Sequence, residues 1–364
     1  MNHGSRIALI GCQAQIQRSK LLSLPNVNWI VGNSRKMEFA DILSETYHSN
    51  FPKVIVPAIS RQTFKMPAVG FDRKHTRANL KIQDGCDFFC SFCVIPYARG
   101  RARSREFDDI IKEAQTLISA GYREIVITGI NVGTYQYQSK NILDIIKFLQ
   151  KLNGLRRLRI SSIEPTTIPE EFVDLIAQGN KICRYLHIPL QSGSNKILIA
   201  MNRQYNVDYF SKYVCNVHQN IPDICIGTDV IVGFPGESEA DFEETYQVLD
   251  NLPLAYFHVF SYSERPRAKS QKLDHKIPKE IIKARSQVLR ELSIQKRQAF
   301  MQKQIGKVQN VLFEQKKNGY WTGLTDTYIR VNVESVKNIH NQLLPVLLKD
   351  FQTNSMKGDL VSEF

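Results

Sequence analysis

Cys86, Cys90 and Cys93 stand in the spacing C-x3-C-x2-C, three thiols within one short stretch of a 364-residue chain. Zinc sites normally draw on two Cys-x-x-Cys pairs or on Cys and His pairs, and no second pair lies near this one. Three thiolates on one loop can instead hold three irons of a [4Fe–4S] cluster and leave the fourth open. An open iron can chelate the amino and carboxylate groups of S-adenosylmethionine (SAM) and pass an electron into its sulfonium. Homolysis then gives a 5′-deoxyadenosyl radical able to take hydrogen from an unactivated C–H bond. A zinc or structural role is the competing reading of the spacing taken alone. Cys183, Cys215 and Cys225 sit within apolar stretches and read as core thiols rather than ligands. Arg99, Arg101, Arg103 and Arg105 alternate just after the triad, as a phosphate-contacting run or as a solvated loop would.

The elements around the triad set where it can act. Apolar strands are expected at 78–83, 124–129, 157–163, 184–190, 224–232 and 256–262, with helical patterns between them at 108–120, 142–151, 170–177, 209–219 and 239–251. Six strands separated by helices imply βαβ units and a parallel sheet, and a partial α/β barrel is its natural closure. Chemistry in such barrels collects at the C-terminal ends of the strands, and the triad follows the first of them. Ahead of this region, strands at 7–10 and 27–32 and a helix at 39–47 read as a small α/β unit. The proline-containing stretch 51–74 reads as a linker or extended connection. After it, short alternating strands at 308–313, 321–323, 328–333 and 344–348 read as a small β-barrel. The expected divisions are 1–58, a linker at 59–75, the core at 76–264, a basic helical connection at 265–304 and the terminal barrel at 305–364.

Composition narrows the class. Hydrophobic residues make up 43% and charged ones 23%, ordinary for a globular protein of two or three domains. The net charge of +13 favours an anionic partner, nucleic acid first. Residues 265–307 hold thirteen Lys or Arg against three acids, so most of the excess sits in one helical segment; a solvated helix face is the plainer reading of it. Apolar runs such as 125–127 and 230–232 fall far short of a membrane span, and the first residues lack the pattern of a secretory signal. Seven cysteines, three of them clustered, fit a reducing cytoplasm with a metal site better than a disulfide framework.

The block LKIQDGCDFFCSFCVIPYARGRARSR at 80–105 resembles the radical-SAM tRNA methylthiotransferases. So do TGINVGTY from Thr128, RISSIEP from Arg159, LHIPLQSGSNKIL from Leu186 and TDVIVGFPGESEADFEETY from Thr228. The terminal barrel looks like a TRAM domain, and the resemblance spans nearly the whole chain. Within the family, Pro96-Tyr97-Ala98-Arg99-Gly100, Ile130-Asn131 and Ile163-Glu164-Pro165 look like the threonylcarbamoyladenosine branch. The isopentenyladenosine branch usually has His where this chain has Glu164.

The resemblance implies a radical-SAM core built as a partial (βα)6 barrel, with Cys86, Cys90 and Cys93 holding the cluster that binds SAM. It implies that Phe92 packs against the adenine of SAM and that the backbone at Gly129 to Asn131 binds its amino group. Glu164 and Gln191 are expected at the barrel mouth, and Gly233 is expected to let backbone approach the adenine. Core packing for Phe92, a solvated Glu164, a loop-capping Gln191 and a plain turn at Gly233 are the alternatives. The implied activity is methylthio transfer to C2 of N6-threonylcarbamoyladenosine beside the anticodon of tRNA. An electron donor such as flavodoxin or ferredoxin and a sulfur donor are the further partners.

One feature departs from the family pattern. Methylthiotransferases carry a second [4Fe–4S] cluster on three cysteines of an N-terminal domain, and Cys12 matches only the last of these. One thiolate cannot hold a cluster alone. The expectation is a truncated N-terminal domain, through a sequence that starts late or through loss of the sulfur-insertion site. Two competing functions follow: a protein that cleaves SAM without inserting sulfur, and a tRNA-binding protein without catalysis.

Overall fold

Along the strands of the central region, residues of one parity are apolar and those of the other parity are mostly polar. Ala78, Leu80 and Ile82, Ile125 and Ile127, and Leu186 and Ile188 belong to one buried core with the flanking helices. Arg77, Asn79, Val126, His187 and Asp229 face the opposite way, onto a common cavity. Because strand side chains alternate between faces, this pattern builds a barrel with an apolar outer wall under helices and a polar lumen.

A computed structural model describes residues 5–49, 51–67, 76–179 and 181–361. Three parallel strands form the first sheet: β1 (Ile7–Ile10), β2 (Val27–Val31) and β3 (Lys53–Ile55). The core follows with β4 (Arg77–Lys81), β5 (Glu124–Thr128) and β6 (Arg157–Ile160), then β7 (Tyr185–His187), β8 (Cys225–Val232) and β9 (Tyr256–Ser261). Each trio is parallel and in chain order. The two trios meet through a parallel bridge between Leu158 and Ile182 and a hydrogen bond from Ile163 N to His187 O. The result is the expected (βα)6 partial barrel, with shorter third and fourth strands.

Helix Lys279–Gln302 closes one side. Ser293 donates to Phe257 O and accepts from Phe257 N on β9, while Leu289 and Leu292 are buried beneath. Its last turn sends Met301 into the core of a closed barrel made of β10 (Val308–Lys317), β11 (Tyr320–Thr325), β12 (Arg330–Glu334), β13 (Leu343–Gln352) and β14 (Ser355–Leu360). β12 and β14 pair in parallel and close the ring; the other pairs are antiparallel.

Several expectations need correction. Lys53–Ile55 is a strand of the first sheet rather than connection, because its register with Trp29 to Val31 completes that sheet. Residues 68–75 of the expected linker lie outside the described residues. β14 was not expected. The basic segment is not a freely solvated face either: Arg285 is buried against Glu237 and Glu239, and Lys296 donates to Asp250 O and Leu252 O. Among the described residues no helix is long and apolar enough to cross a membrane.

The terminal barrel docks on the N-terminal ends of the core strands, opposite the triad. Arg157 donates to Leu324 O at 2.7 Å and to Asn310 O, and Arg159 donates to Asp326 O at 3.0 Å and Thr325 O at 3.1 Å. Between these guanidinium groups lies Glu124, fully buried and paired with Arg159 at 2.8 Å.

Candidate functional site

Gly85 starts the triad loop in a left-handed conformation, φ +75°, and a Cβ there would stand 2.0 Å from Arg101 O. Only glycine fits. The loop is then strapped from the other side of the barrel: Ser91 donates through Oγ to Ala200 O and through N to Met201 O, and Asn202 Nδ2 donates to Phe88 O and Phe89 O. All three triad thiols are half-buried. Burial pushes the Cys86 thiol up to about 11, with the neighbouring thiols adding to it, and burial raises Cys90 and Cys93 as well. Three half-buried sulfurs on one loop are a soft donor set that fits a polynuclear iron centre, whose positive charge would offset the cost of burying the thiolates.

Arg203 carries the triad's link to the strand ends. Its Nη1 donates to Cys90 Sγ at 3.2 Å, while Nη2 donates to Glu164 and, at 2.7 Å, to Tyr205 OH. Tyr205 OH donates in turn to Pro189 O and Leu190 O. Glu164 is thus a half-buried ion-pair partner in the loop after β6. Burial raises its carboxyl above the ordinary value more than Arg203 lowers it.

Gln83 makes a second link. This fully buried side chain accepts from Ile130 N at 2.9 Å and Asn131 N at 3.0 Å and donates to Gly85 O at 2.8 Å, joining the Gly129 turn to the triad loop. Gly129 is tightly packed, since a Cβ would lie 3.0 Å from Gln83 Oε1 and would press on it. Asn131 is buried; its Oδ1 accepts from Thr167, and its Nδ2 has no partner in the protein. That orphaned donor is suited to a carboxylate.

Phe92 packs in an apolar cluster with Ile197, Met201 and Phe234, so the triad loop and the turn at Gly233 meet there. Gly233 has φ +80°, and a Cβ would strike Ile282 of the long helix at 2.3 Å, which is reason enough for glycine. Gln191, at φ 75°, bridges β8 through Asp229 O and Ile231 N. The turns after β7 and β8 are tied together by Asp241, which accepts from Ser194 at 2.7 Å and Lys196 at 2.6 Å. Although burial opposes its charge, those donors hold its carboxyl well below the usual range.

The arginine run is different from the expectation. Arg99 and Arg103 pair with Asp84, Arg101 pairs with Asp87, and Arg105 is 1% exposed against Asp109 and Glu113. Arg105 is a structural ion and is not available to a phosphate.

Cys12 opens a short helix that packs on Ile95–Arg99, just after the triad. Its sulfur accepts from Asn33 Nδ2 at 3.3 Å, and the same Nδ2 donates to Ala98 O. Cys183 and Cys225 are buried at the opposite, N-terminal ends of the strands, and Cys215 lies on the outer helix Val207–Asn220. Among the described residues Cys12 therefore has no second thiol beside it to hold a further cluster. The residues missed from sequence are Gln83, Arg203, Tyr205 and the lumen residues His187, Asp229 and His258; only the polar parity of the strands signalled the last three.

Residues 80–249 match the Radical SAM superfamily. The chain is 38% identical over 347 residues to a threonylcarbamoyladenosine tRNA methylthiotransferase, MtaB, of Aquifex aeolicus, covering 94% of this chain and 83% of that protein. It is 33% identical to a tRNA-2-methylthio-N(6)-dimethylallyladenosine synthase of Thermodesulfovibrio yellowstonii, covering 98% and 82%. Among solved structures, the radical SAM methyltransferase TsrM of Kitasatospora setae, with tryptophan and a SAM analogue bound, aligns at TM-score 0.48 and 17% identity, over 63% of this chain and 50% of that one.

Proposed function

The chain belongs to the radical-SAM tRNA methylthiotransferase family, and on that premise we propose that it places a methylthio group at C2 of N6-threonylcarbamoyladenosine, beside the anticodon of tRNA. The observation that carries the reading is the triad loop itself, locked at the C-terminal mouth of a (βα)6 barrel by Gln83 and Arg203. Cys86, Cys90 and Cys93 are the residues that hold a [4Fe–4S] cluster, which when bound supplies the electron that opens SAM to a hydrogen-abstracting radical.

The chain's own residues position the substrates of that chemistry. Asn131 Nδ2 offers a buried donor to the carboxylate of SAM, and the backbone of the adjoining Gly129 turn is assigned to its amino group. Phe92, half-buried on the cluster of Ile197, Met201 and Phe234, offers an apolar face suited to the adenine. Arg203 keeps a positive charge against Cys90 and so steadies the ligand sulfur. We assign the C-terminal barrel as TRAM-like and tRNA-binding, the electron to a flavodoxin- or ferredoxin-type carrier, the sulfur to a separate donor, and the compartment to the cytoplasm.

The test has two parts. Anaerobically reconstituted protein should bind about four irons on the triad and release 5′-deoxyadenosine with dithionite and SAM. In a deletion strain, the gene should restore 2-methylthio-N6-threonylcarbamoyladenosine, read by mass spectrometry of tRNA nucleosides. Retention of iron and of 5′-deoxyadenosine by the triple Cys-to-Ala variant would overturn the cluster assignment. Restoration of a methylthiolated dimethylallyladenosine instead would overturn the substrate.

A further inference from the structure

Below the triad the barrel lumen holds a cavity of about 420 Å³, within the roughly 300–1,000 Å³ of small-ligand sites. Its walls are unusually polar for such a site, with Asn79, Ser161, His187, Asp229 and His258 among them and Arg77 and Arg159 toward its floor. Two of its buried polar atoms lack partners, Ser161 Oγ and His187 Nε2. Buried polar atoms are almost always satisfied, so two orphans facing one cavity point to a ligand that satisfies them.

His187 is oriented for this. Its Nδ1 is engaged by Ser162 Oγ at 2.9 Å, which fixes the ring and leaves Nε2 on the lumen side. Asp229 Oδ1 stands 3.3 Å from Nε2 without making a hydrogen bond, and the His258 ring lies 5.7 Å away, centroid to centroid. A His–Asp–His set of this kind can also hold a divalent cation, and the three ligand atoms lie within 4.8 Å of one another. Two guanidinium groups beside the same cavity oppose a cation, and both are already paired, Arg77 with Glu314 and Arg159 with Glu124, which leaves the neutral and orphaned polar atoms to meet a ligand. The cavity wall is linked along the chain to the triad's surroundings: Ser161 and Ser162 lead through Ile163 to Glu164, which holds Arg203 against Cys90.

We infer that this lumen is the subsite for the N6 substituent of the target adenosine, with Ser161, His187, Asp229 and His258 reading its polar groups. The inference rests on the substrate reading above and explains its choice. A threonylcarbamoyl group carries a urea, a hydroxyl and a carboxylate that can satisfy the orphaned atoms. A dimethylallyl group is a branched hydrocarbon that leaves every one of them unpaired. A site built to hydrogen-bond its substrate rejects an analogue lacking those groups far more strongly than an apolar site rejects an added hydroxyl.

The experiment uses the reconstituted full chain without reductant and two synthetic anticodon stem-loops, one with N6-threonylcarbamoyladenosine and one with N6-dimethylallyladenosine. The unmodified protein should bind the first at least about tenfold more tightly. His258→Phe keeps a ring on an exposed wall, and Ser161→Ala removes a single hydroxyl. Each should cost about tenfold in affinity for the threonylcarbamoyl loop and leave the dimethylallyl loop unchanged. Discrimination kept in full by both variants, or equal loss on both loops, would overturn the lumen assignment while the substrate reading stood. Unmodified protein that preferred the dimethylallyl loop would sink both.

Discussion

Gln83 is the residue that ties the triad loop to the Gly129 turn. Its one side chain satisfies the backbone of Ile130, Asn131 and Gly85 with no exposure to water. Gln83→Leu keeps the volume and leaves two N–H groups buried without acceptors, at about 1–3 kcal/mol each. Reconstituted Gln83→Leu should retain the iron of the triad, because the thiols are untouched. Its rate of reductive SAM cleavage should fall by about tenfold or more, measured as 5′-deoxyadenosine per protein. An unchanged rate would show that the two loops hold themselves. The triad was legible from sequence because its spacing is local, and the family resemblance supplied Glu164. Arg203 was not legible, since its contact to Cys90 spans 113 positions and no local pattern marks an arginine that will fold onto a sulfur.

At the scale of elements, the sharpest constraint is Glu124 at the start of β5, held among Arg77, Arg157 and Arg159 where the terminal barrel docks. Burial works to raise its carboxyl, and the three guanidinium groups outweigh that, leaving it below the ordinary 4.5. A carboxyl with a depressed folded-state value stabilises the fold fully above its unfolded value and loses that contribution as pH falls through the folded one. Thermal stability should therefore drop as pH is lowered below 4.5. Glu124→Gln should lower stability at neutral pH by about 3–5 kcal/mol, the cost of leaving a buried charge without its partner, and should flatten that acid-side drop. A melting temperature within a degree or so of the parent's at pH 7 would mean that backbone carbonyls alone hold Arg157 and Arg159. The core strands were readable because apolar residues recur at every second position. β14 was not, because SMKGDL carries one long apolar side chain at its start and one at its end, and its central Gly358 packs against Val346 and Leu347, where a Cβ would stand 2.5 Å from Val346 Cγ1. Partners on another strand decide such a segment.

Over the whole molecule, the excess charge is divided between folding and binding. Of the thirteen cations in 265–307, at least five already have acceptors within the protein: Lys276, Arg285, Lys296, Arg297 and Lys307. Composition alone could register the basic segment but not this division, which is set by the helix's docking on β9 and on the closed barrel. Lys283 and Arg290 lie on the exposed side of the same helix. Counterion release makes the logarithm of affinity fall with the logarithm of salt by about 0.7–0.9 for each phosphate neutralised. Affinity for tRNA should therefore fall steeply as potassium chloride is raised. Lys283→Ala and Arg290→Ala should each shallow that slope by about 0.7–0.9. Lys307→Ala, which removes a cation already paired with Asp223 at 2.6 Å, should leave the slope as it was. Anisotropy titrations of labelled tRNA across a salt series separate these outcomes. If all three variants behaved alike, the net charge would act as a diffuse field, and the exposed face of the long helix would not be the surface that meets the phosphates.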